Sequence, residues 1–173
     1  MLGPLVCAAL LLSIERVCYV WIWHIPGAFG RVCARLTLGP IEALRFLFCV
    51  FKVVQGAVFL IWFWSFSDGR PWPPDASPPI LALGVAAIAG GQSLNVSVFQ
   101  RLGFVGVFYG NRFGYHVPHC ETFPFSVFTH PQYVGALLSI WGLFLVMRFP
   151  HADWYQLPAI ETVYYGLGAH LEQ

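Results

Sequence analysis

Five apolar runs dominate this sequence and limit what it can fold into. They cover residues 1–25, 41–66, 80–99, 133–147 and, more weakly, 154–171. A helix needs about 20 mostly apolar residues to cross a bilayer. Only 10% of the residues are charged and 58% are hydrophobic, whereas about a quarter of the residues of a soluble domain are charged. We therefore predict an all-α, polytopic bundle of four or five transmembrane helices.

Glu15 and Arg16 interrupt the first apolar run. We expect the two side chains to pair, or to reach from the span toward the membrane surface. A cleaved signal peptide is the competing interpretation of this run. No positively charged segment precedes the run, however, and apolar residues continue through 19–23, which favours a membrane span.

The segments between the runs divide the chain into two parts. Residues 67–79 contain five prolines, and this composition predicts a loop. The loop follows the second run, whose embedded part we place at residues 49–66. Residues 100–131 form a polar, aromatic segment after the third run. We therefore expect the proline-rich loop to separate an N-terminal membrane anchor, residues 1–79, from residues 80–173.

Basic residues concentrate in alternate loops, and this pattern predicts the orientation. Those between the first two runs or shortly after the third are Arg31, Arg35, Arg45, Lys52, Arg101 and Arg112. The other two loops hold only Arg70 and Arg148. With five spans, the positive-inside rule places segments 31–45 and 101–112 and the C-terminus on the cytosolic side.

Charge and cysteine usage exclude several classes of protein. The formal net charge is +1, so the chain offers no basic surface for nucleic acid. Five cysteines without a C-x-x-C pair do not form a disulfide framework. His116, His119 and Cys120 lie close together, but Pro118 breaks their turn and no second cluster completes a ligand set. We therefore predict no metal site.

Two groups of small residues leave alternatives open. Gly103, Gly106, Gly110 and Gly114 would share one face if this segment were helical. Residues 89–91, Ala-Gly-Gly, form a notch in the third run. Either group could serve close helix packing or a close approach of the backbone to a ligand.

The ends of the last two runs carry further candidates. His130 and Pro131 precede the fourth run, where proline at the first helical position is typical of a helix start. Glu161 lies inside the fifth run, and ionisable groups at membrane depth are functional candidates. Glu172 follows that run, where it is either functional or a solvated chain end.

Several short motifs, taken in order, resemble the phospholipid methyltransferases. They are Ala-Gly-Gly-Gln at 89–92, Leu-Gly-Phe-Val-Gly at 102–106, Phe-Tyr-Gly-Asn-Arg-Phe-Gly at 108–114, Phe-Pro-Phe at 123–125 and His-Pro-Gln-Tyr-Val-Gly at 130–135. The resemblance covers residues 80–173, which it identifies as the methyltransferase core. The His-Pro-x-Tyr element is also similar to the isoprenylcysteine carboxyl methyltransferases.

The resemblance implies a site for S-adenosyl-L-methionine. The family's Gly-x-Gly falls on Ala89, Gly90 and Gly91, with alanine in place of the first glycine. Its Glu-Glu pair falls on Glu172 and Gln173, so the second acid is replaced by glutamine. The remaining residues expected to bind this methyl donor are Gly103, Gly106, His130, Pro131 and Tyr133.

The chemistry of amine methylation suggests further roles. The amine must be neutral and in line with the methyl group, so positioning contributes much of the catalysis. Glu172, His130 or Glu121 could accept its proton. Arg101 or Arg112 could hold the lipid phosphate. Tyr109 and Tyr115 are expected to bind the substrate, because methylated ammonium groups bind well to aromatic faces.

The resemblance implies a function in lipid metabolism. We expect N-methylation of phosphatidylethanolamine, or of its mono- and dimethyl forms, in phosphatidylcholine biosynthesis. The partner would be a membrane phospholipid, and the site would face the cytosol from the endoplasmic reticulum membrane. Two alternatives stay open: an isoprenylcysteine-type carboxyl methyltransferase, and a membrane scaffold without catalytic activity.

Overall fold

The computed structural model describes residues 2–70, 74–149 and 152–172, and the regular structure within these ranges is helical. The helices are α1 (Leu2–His24), α2 (Pro26–Arg35), α3 (Pro40–Phe66), α4 (Pro78–Val107), α5 (Pro131–Val146) and α6 (Gln156–Leu171). A 3₁₀ turn, Gly110–Phe113, follows α4. The predicted all-α architecture is confirmed.

Three of the described helical segments are long and apolar enough to cross a membrane: Leu2–His24, Pro40–Phe66 and Pro78–Phe113. α5 is a shorter apolar helix of 16 residues, and α6 has the same length. Proline stands in the first turn of α2, α3, α4 and α5. There its missing N–H costs nothing, because the first N–H groups of a helix have no partner within the helix.

The helix of the third apolar run is longer than predicted. The sequence predicted its end at residue 99, but α4 continues to Val107. Of the added residues, Val107 is buried, whereas Arg101 and Phe104 are exposed. Gly103 interrupts the helix with φ 63°, a left-handed conformation that glycine adopts without steric cost.

The four glycines do not share one helical face. Gly103 and Gly114 have positive φ, and Gly110 begins the 3₁₀ turn. A Cβ on Gly110 would lie 2.6 Å from the Val105 carbonyl oxygen. The glycines therefore allow the chain to turn at the end of α4 rather than forming a smooth helix surface.

α4 and α5 pack backbone to backbone through two pairs of glycines. Gly84 faces Gly142, and Gly91 faces Gly135. A Cβ on Gly142 would lie 2.6 Å from the Gly84 carbonyl oxygen, and a Cβ on Gly135 would lie 2.7 Å from that of Gly91. Small residues at such crossings allow close van der Waals contact, which drives helix association in lipid.

One end of the bundle gathers segments that are far apart in the chain. Arg112 donates hydrogen bonds to the Trp23 carbonyl oxygen at 2.7 and 3.0 Å. The rings of Phe29 and Phe113 lie 5.9 Å apart, and His24 lies 2.8 Å from the Leu171 carbonyl oxygen. The end of α1, α2, the 3₁₀ turn and the end of α6 therefore meet at this end.

The two loops with few basic residues contact each other. The Asp75 N–H donates to the Arg148 carbonyl oxygen at 2.7 Å, which joins the loop before α4 to the loop after α5. This separation of the loops agrees with the alternation on which the predicted orientation depends. Which end faces the cytosol stays a prediction.

We expect Gly91→Ala to destabilise the bundle and Gly90→Ala to leave it unchanged or slightly more stable. The new methyl at position 91 would lie 2.9 Å from the Ser139 backbone nitrogen, whereas position 90 has nothing within 4 Å. Overpacking costs about 1–3 kcal/mol, and alanine favours a helix over glycine by about 1 kcal/mol. Melting temperatures of the detergent-solubilised variants test this, and equal effects would contradict the packing described.

Candidate functional site

A cavity of about 340 Å³ lies between α1, α3, α4 and α5. Its volume is within the range of about 300–1,000 Å³ that is usual for ligand pockets. Polar groups are set into aromatic and aliphatic walls, and they include Arg16, Lys52, Gln55, Asn95, Tyr109 and Tyr133. This mixture of apolar walls and a few polar groups is typical of a ligand site.

A carboxylate is fixed beside this cavity by two tyrosines from its wall. The Tyr133 hydroxyl donates to Glu172 Oε2 at 2.5 Å, and the Tyr109 hydroxyl donates to Glu172 Oε1 at 3.0 Å. We call these three residues the carboxylate clamp. Among the described residues, no Lys, Arg or His forms an ion pair with Glu172. Its negative charge therefore remains available to a cation or to ligand hydroxyls.

Local backbone geometry places the three members of the clamp. Tyr109 has a left-handed conformation, φ 57°, directly before the 3₁₀ turn. Tyr133 lies in the first turn of α5, and Glu172 is the C-terminal cap of α6. The clamp therefore joins the ends of three elements, and only the tertiary fold brings them together.

His130 lies next to the clamp. It precedes α5, and its ring stacks on Tyr133 with centroids 5.7 Å apart and an angle of 18° between the planes. Its Nε2 is buried and has no hydrogen-bond partner among the described residues. Buried polar atoms usually have a hydrogen-bond partner, so this nitrogen is a candidate to form a hydrogen bond with a ligand.

A chain of charged and polar side chains crosses the interior of the bundle. Glu15 pairs with Arg16 at 3.0 Å and with Lys52 at 3.1 Å. Lys52 Nζ donates to Gln55 Oε1 at 2.9 Å, and Gln55 Nε2 donates to Glu161 Oε1 at 2.5 Å. Charges at membrane depth are costly unless they are paired, and this chain pairs them.

Arg16 links this chain of polar groups to the aromatic residues near the clamp. Its guanidinium carbon lies 3.7 Å from the Tyr165 ring centroid and 5.5 Å from that of Tyr133. Such contacts stabilise a desolvated cation by about 2 kcal/mol. The carboxylate clamp and the charged interior therefore contact the same aromatic wall.

Sequence reasoning identified part of the charged interior. The Glu15–Arg16 pair is confirmed as an ion pair, and Glu161 was a candidate because of its depth. The partners Lys52 and Gln55 were missed as members of the site. The sequence could have indicated both, because each is a polar residue inside an apolar run.

The small residues predicted to bind a cofactor do not line the cavity. Gly91 packs against α5, and the neighbouring Ala89 and Gly90 are exposed. Gly103 is exposed at the interruption of α4. A Cβ on Gly106 would lie 3.0 Å from Val117.

The other predicted residues occupy different places. Tyr109 and Tyr133 line the cavity, whereas Arg101, Tyr115 and Glu121 are exposed. Glu121 pairs with His119 at 3.3 Å, and the Arg112 hydrogen bonds to Trp23 tie the 3₁₀ turn to α1. Pro131 is buried at the start of α5. Gln173 lies outside the described residues.

Comparison with known proteins identifies relatives of part of this chain. The sequence model of the family described as phospholipid methyltransferase matches residues 79–167. The phosphatidyl-N-methylethanolamine N-methyltransferase of Arabidopsis thaliana is 34% identical over 123 residues, which cover 70% of this chain and 67% of the relative. No solved structure matches the chain significantly.

Two further relatives match shorter segments. The phosphatidyl-N-methylethanolamine N-methyltransferase of Saccharomyces cerevisiae is 41% identical over 69 residues, which cover 39% of this chain and 34% of the relative. The phosphatidylethanolamine N-methyltransferase of Rattus norvegicus is 37% identical over 75 residues, or 43% of this chain and 38% of the relative.

We expect Tyr133→Phe to destabilise the protein by about 1–3 kcal/mol, because a hydrogen bond to a partly buried carboxylate is lost. The melting temperature in detergent measures this effect. Tyr155→Phe is the matched control, since Tyr155 is 49% exposed. If both variants melt at the wild-type temperature, the Tyr133–Glu172 hydrogen bond contributes nothing to stability.

Proposed function

Because this chain belongs to the phospholipid methyltransferase family, we propose that it N-methylates phosphatidylethanolamine, or its mono- or dimethyl forms, toward phosphatidylcholine. Family membership makes it a methyltransferase enzyme, which requires a methyl donor. The observation that carries the proposal is the carboxylate clamp beside a cavity inside a membrane bundle. The chemistry then takes place where a lipid amine and a polar donor can meet.

We propose S-adenosyl-L-methionine as the donor, and the residues present fit it. Glu172 offers a carboxylate that pairs with no cation among the described residues, and carboxylates accept hydrogen bonds from hydroxyls such as those of a ribose. Buried His130 Nε2 has no partner within the described ranges. When bound, this donor supplies an electrophilic methyl group on a sulfonium. Glu172, Tyr109 and Tyr133 are the residues that would hold it, and His130 lies beside them against the Tyr133 ring.

We propose that His130 accepts the proton that the lipid ammonium loses. The amine must lose this proton before it can act as a nucleophile, and imidazole is the most frequent proton acceptor in enzymes. Glu172 already accepts two hydrogen bonds, which suit it to positioning. Glu121 is exposed and pairs with His119, so we give it no part in the reaction.

Aromatic side chains of the cavity suit the products. Each methylation makes the amine a bulkier cation, and such cations bind to aromatic faces. Tyr19, Phe99, Phe108 and Tyr109 all line the cavity. A quaternary ammonium has no N–H group and cannot donate a hydrogen bond. The aromatic faces stabilise such a cation without one.

We place the carboxylate-clamp end of the bundle at the cytosolic face of the endoplasmic reticulum membrane. The basic residues of α2 and of the start of α3 support this orientation, because cytosolic loops carry an excess of Lys and Arg. A water-soluble donor then reaches the clamp from the cytosol, while the lipid arrives through the membrane.

We expect membranes that contain this chain to transfer labelled methyl groups from S-adenosyl-L-methionine to at least one of phosphatidylethanolamine and its mono- and dimethyl forms. Offering each lipid separately identifies the step. Glu172→Gln should lower the rate at least about tenfold, since hydrogen bonds to a charged carboxylate are lost.

Glu42→Gln is the matched control, because Glu42 is exposed in the first turn of α3, and it should keep the wild-type rate. Wild-type protein that is intact in the membrane but labels none of the three lipids would refute the proposed reaction. Full activity of Glu172→Gln would refute the role of the clamp.

A further inference from the structure

Three charged side chains of the cavity wall have no role in the function proposed above. Glu15 and Arg16 belong to α1 and Lys52 belongs to α3, so they lie outside the family match at residues 79–167. Glu15 precedes His24 by nine residues, which places it about 13 Å from the end of α1. The cavity therefore extends from the carboxylate clamp to a charged group deep within the bundle.

These three side chains leave a positive charge on the cavity wall. Within the described residues, they are the charged groups that line the cavity. On the wall itself, one carboxylate faces two cations. The second acid of the network, Glu161, is 1% exposed and reaches Lys52 only through Gln55, behind the wall. The surface that a ligand would meet therefore carries more positive than negative charge, and it attracts an anionic group.

The two cations have hydrogen-bonding capacity to spare. Arg16 has five N–H donors, and the hydrogen bond found for its side chain within the described residues goes to Glu15. The Lys52 side chain is 31% exposed, whereas those of Arg16 and Glu15 are 9% and 8% exposed. The Lys52 ammonium is thus both anchored by Glu15 and open toward the cavity.

We propose that Arg16 and Lys52, held by Glu15, form an anion-binding subsite at the inner end of the cavity. Its ligand is the single anionic group of a zwitterionic substrate. Both substrates of the proposed reaction carry such a group: the phosphodiester of the lipid and the carboxylate of the methyl donor. The identity of these two sources rests on the proposed function, whereas the anion site itself rests on the charge and geometry of the cavity.

The experiment compares ligands that differ only by the anionic group, using the purified chain in detergent. Calorimetry measures binding of S-adenosylhomocysteine and of its decarboxylated analogue, which keeps the amine. Native mass spectrometry measures binding of phosphatidyl-N-methylethanolamine and of an ether analogue that joins the methylaminoethyl group to the diacylglycerol without the phosphate. Neither measurement requires turnover.

Lys52→Met should weaken binding of one anionic ligand at least about tenfold, because a charge-assisted contact is lost. Loss confined to S-adenosylhomocysteine assigns the site to the donor carboxylate, and loss confined to phosphatidyl-N-methylethanolamine assigns it to the phosphodiester. The partner ligand without the anion should bind as to wild type. Arg45→Met, an exposed cation two turns earlier on α3, should change each affinity by less than about twofold.

A purely structural ion pair is the rival explanation, and Glu15→Gln separates it from the proposal. This variant breaks the ion pairs of Glu15 with Arg16 and Lys52 but keeps both cations. The anionic ligand should bind at least as tightly as to wild type, and a loss of affinity equal to that of Lys52→Met would overturn the proposal. Two results with Lys52→Met would also overturn it. One is unchanged affinity for both anionic ligands, and the other is an equal loss of affinity for the ligands with and without the anionic group.

Failure of the proposed function gives a different result. Wild-type protein that binds an anionic ligand through Lys52 but transfers no methyl group refutes the function and supports the subsite. Methyl transfer that continues in Lys52→Met with all affinities unchanged supports the function and refutes the subsite.

Discussion

The direct contact between the backbones of α4 and α5 determines where the site lies. Gly84 and Gly91 face Gly142 and Gly135, and no side chain separates the helices at these points. Because lipid offers no hydrophobic drive for helices to associate, this close contact provides much of the attraction. It fixes α5 on α4 and so places Tyr133 on the wall of the cavity beside Asn95 of α4.

The bundle also pairs its buried charges instead of excluding them. Glu15, Arg16 and Lys52 pair with one another, and Gln55 connects Lys52 to Glu161. Such a network contributes little net stability, because desolvation offsets most of its attraction. Charges at this depth are more readily explained by polar ligands that must be held inside the membrane.

Much of the fold could be predicted from the chain, but only part of the site. The apolar runs predicted the helices, and proline positions such as Pro40 and Pro131 coincide with helix starts. Hydropathy did not predict the extension of α4 to Val107, because the apolar run ends before the polar residues Gln100 and Arg101 although the helix continues through them. For the site, Tyr109, Tyr133 and Glu172 were singled out separately, and the partnership of Lys52 with Glu15 was missed.

The sequence by itself determined the solvent of this protein, because runs so apolar must be buried in lipid, and it determined the family through the motifs of residues 80–173. Only the tertiary structure decided which polar groups share one cavity. Glu15 and Lys52 are 37 residues apart, and Tyr109 and Glu172 are 63 apart. Helix periodicity fixes the face on which each residue lies, but helix crossings such as that of Gly91 with Gly135 decide which faces meet.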